Sequence, residues 1–211
     1  MSADPKCKIC RRAGEKLFLK GERCFTPKCA MIRHPSTPGI HGGARKGKRR
    51  TVSEFGIELR EKQKIRFLYG LTEGQFERYV EEARKKKNSV VTDAIVSFLE
   101  TRLDSVVFRA GFAVSRSYAR HCVSYGHICV NGKLASSPGY RVKKGFSISI
   151  YPKSEASPLF KDYGERIKKY DPPTWISLDK DRRVATIIAE PTVENTQFTY
   201  DLQKVIQFYS K

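Results

Sequence analysis

Residues 99–150 read LETRLDSVVFRAGFAVSRSYARHCVSYGHICVNGKLASSPGYRVKKGFSISI, and the fold turns on how that stretch divides. Asn131-Gly132 stands between the alternating run His127-Ile128-Cys129-Val130 and the return Lys133-Leu134. That is a strong hairpin signal, because a two-residue turn matched to the twist of its strands needs positive φ at both central residues. Val142, then Phe146, Ile148 and Ile150 around Gly145, predict two more short strand pieces. Upstream, Ser115 has the character of an N-cap for a helix over 116–125 that Gly126 closes. Before it, Ile95, Leu99, Leu103, Val106, Val107 and Ala110 recur at helical period, predicting a single helix over 92–110 ended by Gly111. The stretch therefore reads as two helices followed by a hairpin.

Outward from this centre the pattern changes twice. On the N-terminal side, Phe55, Ile57, Leu59, Ile65, Phe67 and Leu68 predict a helix from Ser53 that Gly70 stops. Thr72 and Gln75 then have capping-box spacing, opening a helix that carries Phe76, Tyr79, Val80 and Ala83 to about residue 86. Residues 1–50, broken by Pro27, Pro35, Pro38, Gly39, Gly42, Gly43 and Gly47, read as an irregular arm. On the C-terminal side a polar, helical stretch reaches about residue 170. Beyond it Trp175, Ile176 and Leu178, then 184–189, then 205–209 read as short strands. The expected class is α+β. It has an irregular arm over 1–50, a helical domain over 51–98 completed by about 199–211, and a module over 99–198 whose αα–β-hairpin core is 99–150.

The net charge is +19, from 41 Lys and Arg against 22 Asp and Glu. It is uneven: 1–50 carries +11, 51–100 carries zero, 101–150 carries +7 and 151–211 carries +1. Two basic segments flanking a neutral one point to a polyanion met at two places, and nucleic acid is the expected one. No apolar run approaches the roughly 20 residues that span a bilayer. The opening MSADPKCKIC lacks the apolar stretch of a signal peptide, so the expected location is cytoplasmic.

Four cysteines, Cys7, Cys10, Cys24 and Cys29, form two close pairs in the arm. Four thiolates in close pairs suit one tetrahedral structural Zn2+, and metal binding would supply folding energy to an arm with few apolar residues. An iron–sulfur cluster uses the same ligands, and free thiols or two disulfides remain as alternatives. Cys122 and Cys129 lie on apolar-patterned segments and read as core thiols.

Gly42-Gly43-Ala44-Arg45-Lys46-Gly47-Lys48-Arg49 nearly spells a phosphate-binding loop, but Arg49 stands where a Mg2+-binding hydroxyl is needed. It reads instead as a flexible basic arm whose Arg45, Lys46, Lys48, Arg49 and Arg50 follow a phosphate backbone. In the central module the expected RNA contacts are Arg102, Arg109, Arg116, Arg120, Lys133, Arg141, Lys143 and Lys144, with Tyr118, Tyr125 and Tyr140 interleaved. Arg11, Arg12, Lys16 and Lys20 in the arm and Lys62 and Arg66 on the following helix complete the candidate set. A helix-turn-helix reader of duplex DNA is the alternative. Against it, the second helix is short and lacks Asn or Gln for base edges. No Ser-His-Asp, paired-carboxylate or nucleotide motif has credible context, so no enzyme activity is expected.

Residues 99–150 resemble the RNA-binding module named after ribosomal protein S-four, which some RNA-modifying enzymes and a tyrosyl-tRNA synthetase also carry. PGIHGGARK (38–46), FGIELREKQKIRFLYG (55–70), PTWISLD (173–179) and VIQFYSK (205–211) resemble the S-four family itself, across nearly the whole chain. The cysteine pattern resembles zinc-bearing members. The resemblance implies a primary binder of small-subunit rRNA that docks in the 5′ domain and nucleates assembly. It also implies contact with ribosomal protein S-five, a place near the mRNA entrance where Arg45, Lys46, Arg49 and Arg50 face mRNA, and a part in translational accuracy. The implied partners include neither a membrane nor a second copy of the chain. Some members also repress their own mRNA, so a free translational regulator is the alternative reading. Two residues depart from the pattern: Ile40 replaces a usual glutamine, and Phe146 a usual acid.

Overall fold

Asn131 and Gly132 take φ values of 50° and 75° in the computed structural model, the pair of left-handed residues that a tight hairpin demands. The structure describes residues 5–39, 52–87, 89–160, 163–196 and 198–210. Strands β1 (Ile128–Val130) and β2 (Lys133–Ala135) flank the turn, with Val130 opposite Lys133. β3 (Ser147–Ile150) pairs with β1, and β4 (Ile176–Asp179) and β5 (Val184–Ile187) extend the sheet in the order β2-β1-β3-β5-β4. Every pairing is antiparallel. The chain forms two units: Met1–Glu82 with Thr199–Lys211, and Ala83–Phe198.

Within the second unit, strands this short depend on what they bury. Ile148 and Ile150 of β3 and Ala185 and Ile187 of β5 face inward by two-residue alternation. They join Leu103, Val106, Val107, Phe112, Tyr163 and Trp175 in one core. Each fully buried aliphatic or aromatic side chain adds about 1.5–3 kcal/mol, so the core rather than the ladder holds the sheet.

The helix expected over 92–110 is broken. It divides into α5 (Val91–Glu100) and α6 (Leu103–Arg109), because another segment takes over its hydrogen bonding. Leu103 N–H donates to Tyr140 C=O at 2.8 Å and Asp104 N–H to Pro138 C=O at 3.1 Å, while Val142 N–H donates to Thr101 C=O at 2.9 Å. The 138–142 loop thereby satisfies α6 amides that a continuous helix would have satisfied internally. α7 (Arg116–Ser124) starts where the cap predicted, with Ser115 Oγ accepting from Tyr118 N–H at 3.3 Å. The stretch after Pro152 holds two 3-10 turns, Pro152–Ser154 and Pro158–Phe160, before the α-helix α8 (Tyr163–Lys168), and α9 (Val193–Thr196) is a single turn.

In the first unit, α3 (Glu54–Tyr69) begins on Ser53 and ends at Gly70, whose φ is 61°. α4 (Glu73–Lys85) opens with the reciprocal capping box, Thr72 N–H to Gln75 Oε1 at 3.3 Å and Gln75 N–H to Thr72 Oγ1 at 3.4 Å. The strand expected over 205–209 is instead a helix, α10 (Leu202–Phe208), capped by Asp201. Leu202 and Val205 are buried three residues apart, and the Phe208 ring packs tilted by 32° against Phe55 of α3 with centroids 5.3 Å apart. Helical spacing of those contacts overrode the β-branched run.

The arm differs from expectation in two ways. It contains α1 (Lys6–Ala13) and α2 (Ala30–Arg33), joined through a 3-10 turn at Gly21–Cys24. It also has its own small core of Ile9, Cys10 and Leu17, packed with Leu19, Met31, Phe67 and Tyr200. The zinc expectation is overturned. Among the described residues no three His, Cys, Asp or Glu side chains come together as a metal-binding group, so the same finding removes the iron–sulfur alternative. All six cysteines are free thiols. Cys10, Cys24 and Cys29 are buried beside Leu19, Ala30 and Met31. Burial, reinforced by the neighbouring thiols, pushes the Cys10 thiol above its ordinary value. Ile9, Cys10 and Leu17 give this segment a buried apolar core of its own.

Candidate nucleic-acid interface

The cations of the central module fall into two groups. Glu100, at the end of α5, is completely buried. Arg109 spans both of its oxygens at 2.7–3.2 Å, and Arg116 reaches one at 3.1 Å. Arg116 also lies 4.7 Å above the Phe108 ring. Arg102 is 2% exposed and makes a two-point bond to Asp104 at 3.0 and 2.7 Å. The buried carboxylates thus hold Arg102, Arg109 and Arg116 in a charge-assisted frame that fixes α6 and α7 against α5.

The second group faces outward. Lys133 beside the hairpin turn and Lys143 and Lys144 on the following loop are exposed. Val142, 2% exposed, precedes these two, and Gly145 after them has φ 86° and donates its N–H to Ile187 C=O at 2.8 Å. The loop is pinned at both ends and presents the lysines at its crown. Arg120 on α7 approaches Asp104 at 4.0 Å, with its side chain about a quarter exposed. Arg141 places its guanidinium 4.4 Å over the Phe98 ring, so one of its faces is covered by an aromatic contact. Tyr140 is 44% exposed and Tyr125 is 73% exposed, with His121 stacked on the Tyr125 ring at 6.1 Å. Tyr118 instead donates its hydroxyl to Leu159 C=O at 2.9 Å.

Cys122 and Cys129 are core thiols, 2% and 4% exposed. Burial pushes Cys122 up to about 11, so it stays protonated at neutral pH. His127 makes a 2.9 Å hydrogen bond through Nδ1 with Ser154 Oγ. Leu134, 57% exposed on β2, is a surface feature that the sequence reading passed over, since alternation alone assigns an apolar strand residue inward.

In the first unit, Lys62 is 5% exposed, bonded to Glu73 and 4.2 Å above the Phe208 ring. Arg66 lies 3.7 Å from the same carboxylate, and Tyr209 donates its hydroxyl to it at 2.7 Å. Burial alone would raise Glu73, but Lys62, Tyr209 and Arg66 together hold it below its ordinary value. Arg11 donates to Ser36 C=O at 2.7 Å, Lys16 is half-buried, and Arg12 and Lys20 are exposed. Arg45, Lys46, Lys48, Arg49 and Arg50 lie outside the described residues.

Residues 2–100 match the family profile described as ribosomal protein S4/S9 N-terminal domain, and residues 101–145 match the S4 domain. The chain belongs to the ribosomal protein S4 family. It is 44% identical over 207 residues to the small ribosomal subunit protein uS4 of Kosmotoga olearia, covering 98% of this chain and 97% of that relative. The uS4 of Thermus thermophilus is 45% identical with the same coverage, and that of Thermotoga petrophila is 43% identical over 208 residues. The matched S4 domain of this family member contains both the carboxylate-bound arginines and the exposed lysine loop.

Proposed function

We propose that this chain is a structural, non-enzymatic constituent of the small ribosomal subunit that binds its rRNA and resides with the subunit in the cytoplasm. What carries the reading is full-length similarity to small ribosomal subunit proteins uS4. The exposed lysines Lys133, Lys143 and Lys144, the half-buried Arg120 and Arg141, and the exposed Tyr125 and Tyr140 supply the chemistry. Ammonium and guanidinium groups on a rigid platform suit phosphates of a folded RNA, and exposed aromatic rings suit its unstacked bases. Arg102, Arg109 and Arg116 brace that platform through Glu100 and Asp104, while Lys62 and Arg66 are bound to Glu73 within the first unit. Arg12 and Lys20, with the basic segment 45–50, add a second cationic stretch. No helix among the described residues is long and apolar enough to cross a membrane.

Finer features belong to the same proposal and rest on the family resemblance: docking in the 5′ domain of the rRNA, early assembly, contact with ribosomal protein S-five, approach to mRNA at its entrance, and a share in decoding accuracy. Footprinting of the purified chain on protein-free small-subunit rRNA tests the central reading. Protection confined to the 5′ domain is expected, together with an affinity that falls steeply with salt as counterions are released. A salt-insensitive affinity, or a cellular pool that never cosediments with small subunits, overturns it; the second outcome favours a free regulator.

A further inference from the structure

Phe18 and Phe25 are poorly explained as parts of the fold. Phe18 lies between Leu17, fully buried, and Leu19, which packs on the same small core. Its own side chain is turned outward, 45% exposed, on a backbone with φ 51°. A bulky L-residue rarely occupies that left-handed region. The position therefore neither suits phenylalanine locally nor buries it. Phe25 is 74% exposed. The two rings stack on each other, with centroids 4.9 Å apart and planes 28° from parallel.

The segment that carries them is stiff. Gly21 N–H donates to Phe18 C=O at 3.2 Å, Phe25 N–H to Glu22 C=O at 3.0 Å, and Thr26 N–H to Arg23 C=O at 3.3 Å. Cys24, at the end of the turn, is buried at 8% exposure. The rings are thus positioned before any ligand arrives, and little ordering entropy remains to be lost on binding.

Charge argues for the kind of ligand. Residues 16–28, KLFLKGERCFTPK, hold Lys16, Lys20, Arg23 and Lys28 against the single acid Glu22, and Lys20, Arg23 and Lys28 are exposed. Lys6 is also near: burial, and then the like charge of Lys20, pull its ammonium below the ordinary value. A stiff aromatic face among cations suits an unpaired nucleobase, whose ring stacks while the phosphates on either side meet the cations. An apolar protein segment would find only two rings here and would have to neutralise several positive charges.

We propose that the Phe18–Phe25 pair is a stacking platform for an unpaired base of the RNA that this chain binds. The inference rests on the rRNA-binding reading above, yet it can fail on its own. The test uses the full chain on protein-free small-subunit rRNA, irradiated at short ultraviolet wavelength, digested, and analysed by mass spectrometry. A nucleotide adduct is expected on tryptic peptide 17–20 or 24–28. The double variant F18L/F25L keeps apolar bulk but loses the aromatic faces. It should lose that adduct and about tenfold in affinity, with no change in the slope of log affinity against log salt, since stacking releases no counterions. F25L alone replaces a largely exposed ring and should show part of the same loss if the double variant folds poorly. Adducts on the central module with none here, and unchanged affinity in F25L, refute the platform while the RNA reading stands. Unchanged RNA affinity with loss of binding to another small-subunit protein also refutes it, in favour of a protein occupant. Failure of the unaltered chain to bind rRNA at all overturns both readings.

Discussion

Replacing Glu100 by Gln should destabilise the protein without touching its RNA contacts. The carboxylate is 0% exposed and serves two guanidiniums, Arg109 at 2.7 Å and Arg116 at 3.1 Å. Removing one member of a buried ionic group costs about 3–5 kcal/mol, because the charges left behind stay partly desolvated. Here the arginine side chains keep 23% and 13% of their exposure, and Gln retains one acceptor, so the lower end, about 3 kcal/mol, applies. Against a domain stability of about 5–15 kcal/mol that is a large fraction. With a urea m-value near 2 kcal/mol per molar, the unfolding midpoint should fall by about 1.5 M. Circular dichroism through a urea series measures it. The salt slope of rRNA affinity should be unchanged, because the freed guanidiniums sit in the frame rather than on the exposed loop. A midpoint shift below about 0.5 M would show that the trio is not a stabilising unit. A salt slope lowered in Arg109→Gln would show that this arginine reaches phosphate after all.

The triple variant K133Q/K143Q/K144Q should do the reverse, lowering the salt slope by about 2 to 3 with the urea midpoint unmoved, since each phosphate contact contributes about 0.7–0.9 to the slope; an unchanged slope removes the loop from the interface. Gly132→Val places a β-branched residue at φ 75° and should cost about 1–2 kcal/mol, read as a lowered thermal midpoint, and equal midpoints would contradict the turn geometry. Ser115→Ala removes the cap that accepts from Tyr118 N–H and should cost about 1 kcal/mol in the same assay. Glu73 is held below its ordinary value of 4.5, so its stabilisation is complete above that pH and is lost as pH falls through the depressed value. Stability curves of the unaltered chain and Glu73→Gln should therefore converge at low pH, and a gap that stays constant from neutral pH into that range would contradict the ion-pair account.

Local chemistry was readable where one residue type decides the backbone. Asn131-Gly132, Ser115, Gly70 and the Thr72–Gln75 box each mark a turn or helix end from the sequence, and each is found in place, as is the helix start at Ser53. The readings that failed depended on a distant partner. No local signal at Thr101–Arg102 shows that the loop at 138–142 will take the amides of Leu103 and Asp104. Val205-Ile206 looks β-prone until Phe55 and Glu73 are beside α10. The arm thiols look like ligands in the sequence, but among the described residues no metal-binding group of three side chains forms, and Cys10 packs with Ile9 and Leu17.

The candidate interface divides along the same line. Sequence alone determined that the chain is strongly cationic, that the charge is concentrated in 1–50 and 101–150, and that the fold is helical with a hairpin, because composition and short-range φ/ψ preferences are written residue by residue. Only the tertiary structure decided which cations face water. Glu100 lies outside the basic block as counted along the chain, but folding carries it into the middle of that block, where it binds Arg109 and Arg116. A charge unpaired in water costs little, whereas a buried one must find its opposite. Arginines indistinguishable in the sequence were therefore sorted by their partners: Arg102, Arg109 and Arg116 bond closely to buried carboxylates, while Arg120 stands 4.0 Å from Asp104 and Arg141 lies over the Phe98 ring.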